Sequence, residues 1–453
     1  MQYWNDIGLT WRKPMVKLSL FGTRIYIIGS VEMMAKIQRQ PRAISSRSWF
    51  AKFVCSLVGC SPRSMGNFQA HLGATSTGDS MLLEGVRATK RILNSKAGTD
   101  MNHNAAHLVS ERFKCMEIPR ETVPVDLFAW ISREMLQLVS DSAYGHNNPF
   151  WKPEIEKAFW EFEESTLALC TTSFLPDFIR SRVIRGFQGR EILVKALDRY
   201  LNSTSRREGS PIVNTHFTLF KASLDESDVP RFECANALGS FANTIPTSFW
   251  ALYHIFSDQR LLADIRRQID VITTSTHDGA KTIKHIDLRR LKSATVLFSA
   301  VEEVSRFRAV GVGVRVVTED TFVGEGEHQY LLKKGGWVLI ANRALHSDRA
   351  VWGDDADQFR AGRFCGKTPH LSFRGFGNGA SACCGKNFAE YHIAAFMAIM
   401  VMRYDIAPVE GAWKEPGQDG RDTAAQVAGP VKSPRVYMRP REGSQAVEWN
   451  FQD

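Results

Sequence analysis

The chain has no run of about 18 apolar residues, the length that a membrane-spanning helix requires. Its opening segment, Met1 to Lys17, carries Trp4, Asp6, Arg12 and Lys13 and reads as neither anchor nor signal peptide. No long block of like charge interrupts the sequence, although the net charge is +9. No nucleic-acid motif accompanies that excess, so a nucleic-acid partner is not expected. Spread over the surface, the positive charge suits an acidic redox partner or anionic lipid. There is no CxxC pair, and the eight cysteines form no secreted-domain framework in 453 residues. Zinc ribbons and disulfide scaffolds are thereby excluded, and a reduced compartment is favoured. Internal repeats are also lacking, which rules out a solenoid. What the chain does have is apolar bulk: 44% hydrophobic residues and 11% aromatics, enough for a large core.

The most informative stretch is Phe373 to Glu390, FRGFGNGASACCGKNFAE. Gly375, Gly377 and Gly379 let the backbone fold tightly against something flat, with no Cβ in the way. Cys383 then falls just ahead of a helix-like run from Lys386 to about Arg403, where the helix dipole favours a thiolate. A thiolate presented by a glycine-rich turn to a planar ligand is what haem iron with a sulfur ligand requires. The alternatives are a zinc or redox pair, or a buried thiol in an ordinary turn. Adjacent cysteines cannot form the spaced ligand pairs of a zinc site.

The spacing Phe376-x-x-Gly379-x-x-x-Cys383-x-Gly385 resembles the haem-binding signature of the cytochrome P-450 superfamily. In a chain of this composition those four residues meet at those offsets by chance about 0.003 times. Chance is therefore a poor explanation. Gly379 and Gly385 select Cys383 as the iron ligand, and Cys384 takes a packing position. The resemblance is clearest from about residue 235 to 395 and weak before residue 230. It implies a mostly α fold with small β-sheets, forming one haem-thiolate domain over residues 1–453. Within it, 1–48 would be β-rich, 49–300 would supply the helical substrate and distal side, and 301–453 the haem-binding part.

In chain order, residues 15–29 read as two strands around Phe21-Gly22-Thr23, and Ser30 caps a helix through Gln38. From Trp49 to Tyr144 helices alternate with loops; Met81–Leu93 and Asn104–Phe113 are helical, and Gly66–Ser80 is a loop. The Trp-x-x-x-Arg pair by which many family members hold a haem propionate does not occur here. Phe150 to Tyr200 holds two or three helices with Phe159, Trp160, Phe162, Phe174, Phe178 and Phe187. The family places a substrate lid there, whose outer surface allows contact with a membrane. Residues 202–212 read as an exposed loop, and Arg231–Phe256 as a long buried helix kinked at Pro246.

His254–Thr273 reads as a further helix, Gly279–His285 as a loop, and Leu291–Phe307 as a helix. Glu303 and Arg306 share a face of that last helix, and the resemblance adds Arg363 as their partner in a structural network. The strand Val310–Val317 offers Arg315 as a haem-propionate partner. Tyr330–Ala341 reads as a hairpin turning at Lys334-Gly335, and Glu442–Asp453 as a closing strand and tail.

The central helix departs from the family. Where Ala/Gly-Gly-x-Asp/Glu-Thr is usual, this chain has Ala242-Asn243-Thr244-Ile245-Pro246, so the acid and alcohol that deliver protons are missing. With Phe249-Trp250, the stretch is similar to the branch of bile-acid sterol hydroxylases and prostacyclin synthase, whose fungal relatives act on terpenoids and sterols. The resemblance implies a haem-dependent monooxygenase of secondary metabolism acting on an apolar small molecule. Asn243 and Thr244 would orient oxygen, water or substrate, and Phe376, Gly379, Cys383, Gly385 and Arg315 would hold haem. Electrons would come from an NADPH-dependent reductase docking near Lys386 and Arg374. Two alternatives stay open: a haem-thiolate isomerase or dehydratase acting on a peroxide, and a non-catalytic haem sensor. The expected setting is the endoplasmic reticulum surface or the cytoplasm, without a transmembrane anchor in this chain.

Overall fold

The structure, a computed structural model, describes residues 13–20, 22–70, 80–116, 123–173, 175–278, 281–326, 329–366, 371–419, 425–444 and 447–453. Phe21, Phe174, residues 1–12 of the opening segment, 71–79 of the expected Gly66–Ser80 loop and 279–280 lie outside the described residues.

The strands Met15–Leu20 and Thr23–Ile28 pair antiparallel as their β-branched composition predicts. Ser30 caps the helix Val31–Gln38 by accepting from the Met33 amide at 3.2 Å. Thr23–Ile28 then runs parallel to Trp337–Ala341, which pairs on its other side with Val312–Val317, giving a five-stranded sheet closed by Ile44–Ser45. The expected Tyr330–Ala341 hairpin is not one: Tyr330–Leu332 pairs with Thr321–Val323 in a separate two-stranded sheet. Gly335 still turns the chain there, at φ +80°.

Long helices make up most of the remainder. Met81–Leu93 has the predicted bounds, followed by Lys96–Cys115 and Leu127–Tyr144. The expected lid is four helices, Pro153–Glu164, Thr166–Thr171, Asp177–Val183 and Arg185–Leu201. Phe159 and Phe162 are buried core residues, whereas Leu167 and Phe178 stand out, at 53% and 65% exposure. Residues 202–212 are more ordered than expected, since Ser210 caps the helix Pro211–Ser223.

The central segment is two helices, Val229–Phe241 and Thr244–Ser257, with Ala242 and Asn243 between them. Pro246 lies in the first turn of the second helix, where an amide would have no intrahelical partner. It helps to start a helix here; it does not kink one. Phe241, Ile245, Phe249 and Trp250 around the break are fully buried. Asp258 then caps a new helix, Gln259–Val271, accepting from the amides of Arg260 and Leu261. The predicted loop at 279–285 is also corrected: Lys281–Asp287 pairs antiparallel with Thr273–Asp278 and parallel with Val447–Gln452. The helices that carry the site are Thr295–Phe307 and Lys386–Arg403, the second buried at every position from Glu390 to Met402.

Candidate active site

The glycine-rich turn closes on the residues that its spacing singles out. Gly377 and Gly379 sit at φ +69° and +60°, in the left-handed region that glycine alone enters freely. The Gly377 amide donates to the Arg374 carbonyl at 3.0 Å, and the Cys383 amide reaches back to the Phe376 carbonyl at 2.8 Å. A Cβ on Gly375 would come within 2.7 Å of both the Phe373 ring and Ser305. The turn therefore packs directly on the helix Thr295–Phe307.

Cys383 is exposed at the mouth of this turn, and the amides of Gly385 and Lys386 donate to its sulfur. They favour a thiolate, as the sequence predicts, but they do not win. Close walls and the neighbouring Cys384 push the Cys383 thiol up to about 11. A coordinated metal ion is what would bring it down again. Cys384 is half-buried, with its thiol also raised by burial, in keeping with a packing role.

Behind the turn lies a buried ionic network. Glu303 and Arg306 pair through two contacts, 2.7 and 2.8 Å, at 0% and 2% exposure. Arg363 donates to the same carboxylate at 3.0 Å and to Asp355 at 2.9 Å. Asp355 is an acid that the sequence did not reveal as a member. The remaining Arg306 donors bond the carbonyls of His346 and Ala356 at 2.7 Å and of Gln358 at 3.1 Å. His346 carries the network to the cysteine turn, because its Nε2 accepts from the Arg374 amide at 2.8 Å. That contact places the ring proton on Nδ1, which donates to the Arg306 carbonyl at 2.9 Å. The network is structural: it fixes the backbone around residues 346–363 against the helix that supports the turn.

Two further guanidiniums beside the turn have no acid among the described residues. Arg374 is 2% exposed; its Nε donates to Asn342 Oδ1 at 2.9 Å, and its Nη1 lies 3.4 Å from Met34 Sδ. Its Nη2 lies over Gly313, where a Cβ would be 3.2 Å away. Gly313 and Arg315 share one face of their strand. Burial, then the charge of Arg315, lower Arg374 to about 10. Burial lowers Arg315 as well, and its Nε has no partner. Arg374 therefore cannot serve the exposed docking surface to which the sequence reading assigned it. Lys386 is also engaged, half-buried and bonded to Glu302 at 2.5 Å. An exposed cation near the turn is Lys90 of the helix Met81–Leu93, close enough to act on Cys384.

The distal pair has structural partners. Asn243 Oδ1 accepts from the backbone amide of Gln426 at 2.5 Å, and the Thr244 hydroxyl donates to the Ser240 carbonyl at 2.8 Å. The Asn243 NH2 group takes no part in that bond.

Residues 116–430 match the Cytochrome P450 family model, and the chain belongs to that family. It is similar to the cytochrome P450 monooxygenase nodJ of Hypoxylon pulicicidum, at 27% identity over 99% of this chain and 87% of the relative. A cytochrome P450 monooxygenase of Gibberella zeae is 26% identical over 78% of this chain and 69% of its own length. The 25-hydroxycholesterol 7-alpha-hydroxylase of Rattus norvegicus is 30% identical over 38% of this chain and 44% of that enzyme. The protein is thus a haem-thiolate oxidoreductase, a cytochrome P450 monooxygenase. Among the described residues no helix is long and apolar enough to cross a membrane.

Proposed function

We propose that this monooxygenase hydroxylates or otherwise oxidises an apolar terpenoid or sterol-like molecule in secondary metabolism, with Cys383 as the axial ligand of its haem. The observation that carries the reading is the cysteine turn set beside two buried guanidiniums without an acid. Desolvated cations side by side are costly unless anions join them. The two propionates of haem meet that need, with Arg315 and Arg374 as their partners. Phe376, Gly379 and Gly385 would help to hold haem as parts of the turn that carries Cys383. Bound haem supplies the oxidising chemistry, placing one oxygen atom of dioxygen in the substrate with electrons from a reductase. The chain itself positions and shields. Asn243 offers its NH2 toward oxygen or substrate, and Thr244 offers a hydroxyl oxygen that still has lone pairs.

P450 enzymes draw electrons from reductase partners. For an NADPH-dependent reductase we assign the exposed face of the helix Met81–Leu93 around Lys90, whose charge reaches the cysteine turn. Leu167 and Phe178 on the lid helices support contact with a membrane surface.

Removing one of the two crowded cations should split stability from cofactor binding. Arg374→Met is expected to raise the melting temperature of the haem-free protein and to speed haem transfer to apomyoglobin about tenfold or more. Slower or unchanged haem loss would remove Arg374 from the propionate site. The substrate reading is tested by optical titration of the ferric protein with terpenoids and sterols on one side and lipid hydroperoxides on the other. Saturable spectral shifts with the first group, and turnover that needs reductase, are expected. Conversion of hydroperoxides alone, without reductant, would sink it.

A further inference from the structure

The tip of the C-terminal segment places Gln426 where four elements meet. Its carbonyl accepts from the amides of Val310 and Gly311 at 2.8 and 3.2 Å, and its own amide donates to Asn243 Oδ1 at 2.5 Å. Its side-chain oxygen accepts from Asn342 Nδ2 at 3.0 Å, and Asn342 Oδ1 accepts from Arg374 Nε at 2.9 Å. The flanking Ala428 carbonyl is held by the Trp250 indole at 2.9 Å.

The orientation of each amide in this series follows from its neighbour. Arg374 Nε–H can only donate, so the Asn342 atom facing it is oxygen. Asn342 therefore presents NH2 to Gln426, and the Gln426 atom facing Asn342 is oxygen. The remaining Gln426 nitrogen, Nε2, is by elimination a donor. It is fully buried and has no hydrogen-bond partner. Every other polar atom of Gln426 is engaged. The same logic applies to Asn243: a backbone N–H faces its oxygen, which leaves its NH2 at the break of the central helix.

Native proteins rarely leave a buried donor unmatched, so Gln426 Nε2 calls for an acceptor, and a ligand oxygen at the break of the central helix would supply one. We propose that Gln426 Nε2 is a specificity determinant that donates to a hydroxyl or carbonyl oxygen on the otherwise apolar substrate. The inference rests on the substrate reading above. It makes the enzyme selective for molecules that already carry one oxygen, so the reaction that supplies its substrate would be an oxidation or hydration of the hydrocarbon skeleton. A haem propionate is the other source of an acceptor oxygen at this place.

The test is ligand discrimination by the ferric holoenzyme, read from the haem spectrum with two matched pairs: cholestanone against cholestane, and sclareol against labdane. The wild-type protein is expected to prefer the oxygenated member of at least one pair by about tenfold, the effect of one neutral hydrogen bond. Gln426→Leu should bring that ratio close to one. Gln426→Glu should do the same while keeping an oxygen for Asn342, so it serves if the Leu variant does not hold haem. A ratio near one in the wild type, or one unchanged in both variants, overturns the proposal. Faster haem transfer to apomyoglobin in both variants, with the ratio unchanged, also overturns it and assigns the donor to a propionate. If no member of either pair perturbs the wild-type haem, the terpenoid or sterol reading fails first and this inference falls with it.

Discussion

Cys383→Ala is expected to abolish the thiolate signature of the reduced carbon-monoxide complex and all reductase-driven turnover, while Cys384→Ala keeps both. The two thiols are adjacent, but their surroundings differ. Only Cys383 closes the turn through its amide to Phe376, and of the two it is the one exposed at the mouth of the turn. The Cys384 side chain is half-buried. Cutting Cys383 back to alanine removes one sulfur atom at the mouth of the turn, and the melting temperature of the haem-free protein should move little. Loss of the signature in that variant is then loss of a ligand and not of the fold. If Cys384→Ala removes the signature and Cys383→Ala keeps it, the ligand assignment is wrong.

The second large effect concerns Glu303. Replacing it by alanine leaves the buried Arg306 without its carboxylate and deprives Arg363 of one of its two acids. Breaking a buried pair by removing one partner costs about 3–5 kcal/mol, a large share of the stability of an ordinary domain. Arg363→Leu should cost less, since Glu303 keeps Arg306 and the freed Asp355 is only partly buried. Urea unfolding of the two haem-free variants should therefore rank Glu303→Ala well below Arg363→Leu. Equal midpoints for the two would refute a network centred on Glu303.

Much of this site was legible because its signals are local. The glycines, Cys383 and Gly385 lie within one short stretch, and Ser30 declares its helix by standing one residue before it. Arg374 was misread for the opposite reason. Its burial depends on Met34, Asn342 and Gly313, which lie far from it in the chain and give no hint beside it. The same holds for Gln426, whose unmatched donor becomes visible only once Asn342 and Arg374 are in place.

The errors in secondary structure have a related cause. Thr273–Asp278 is almost wholly polar and exposed, so no alternation marks it as a strand. It is a strand because Lys281–Asp287 pairs with it, and that strand in turn lies against Val447–Gln452. Tyr330–Leu332 and Trp337–Ala341 look like a hairpin locally, but each finds a better partner elsewhere. At the central helix, Asn243 and Pro246 announced an interruption. Whether proline bends one helix or opens the next depends on where the first one ends, and that is set by the packing of Gln426 and Ala428 against the break.

The parallel pairing of Ile25 with Trp337 has a consequence for how the molecule is made. Arg315 is held in a sheet whose outer strands come from the first few dozen residues, and Met34 from that same region touches Arg374. These strands and Met34 must therefore wait for partners as far as 340 residues downstream. Contacts this distant in sequence form slowly. The cysteine turn is also late, so the cations and the thiol come together in one closing event near the end of folding. Cofactor capture is then a final step, and a chain cut short before Cys383 would have no pocket to offer.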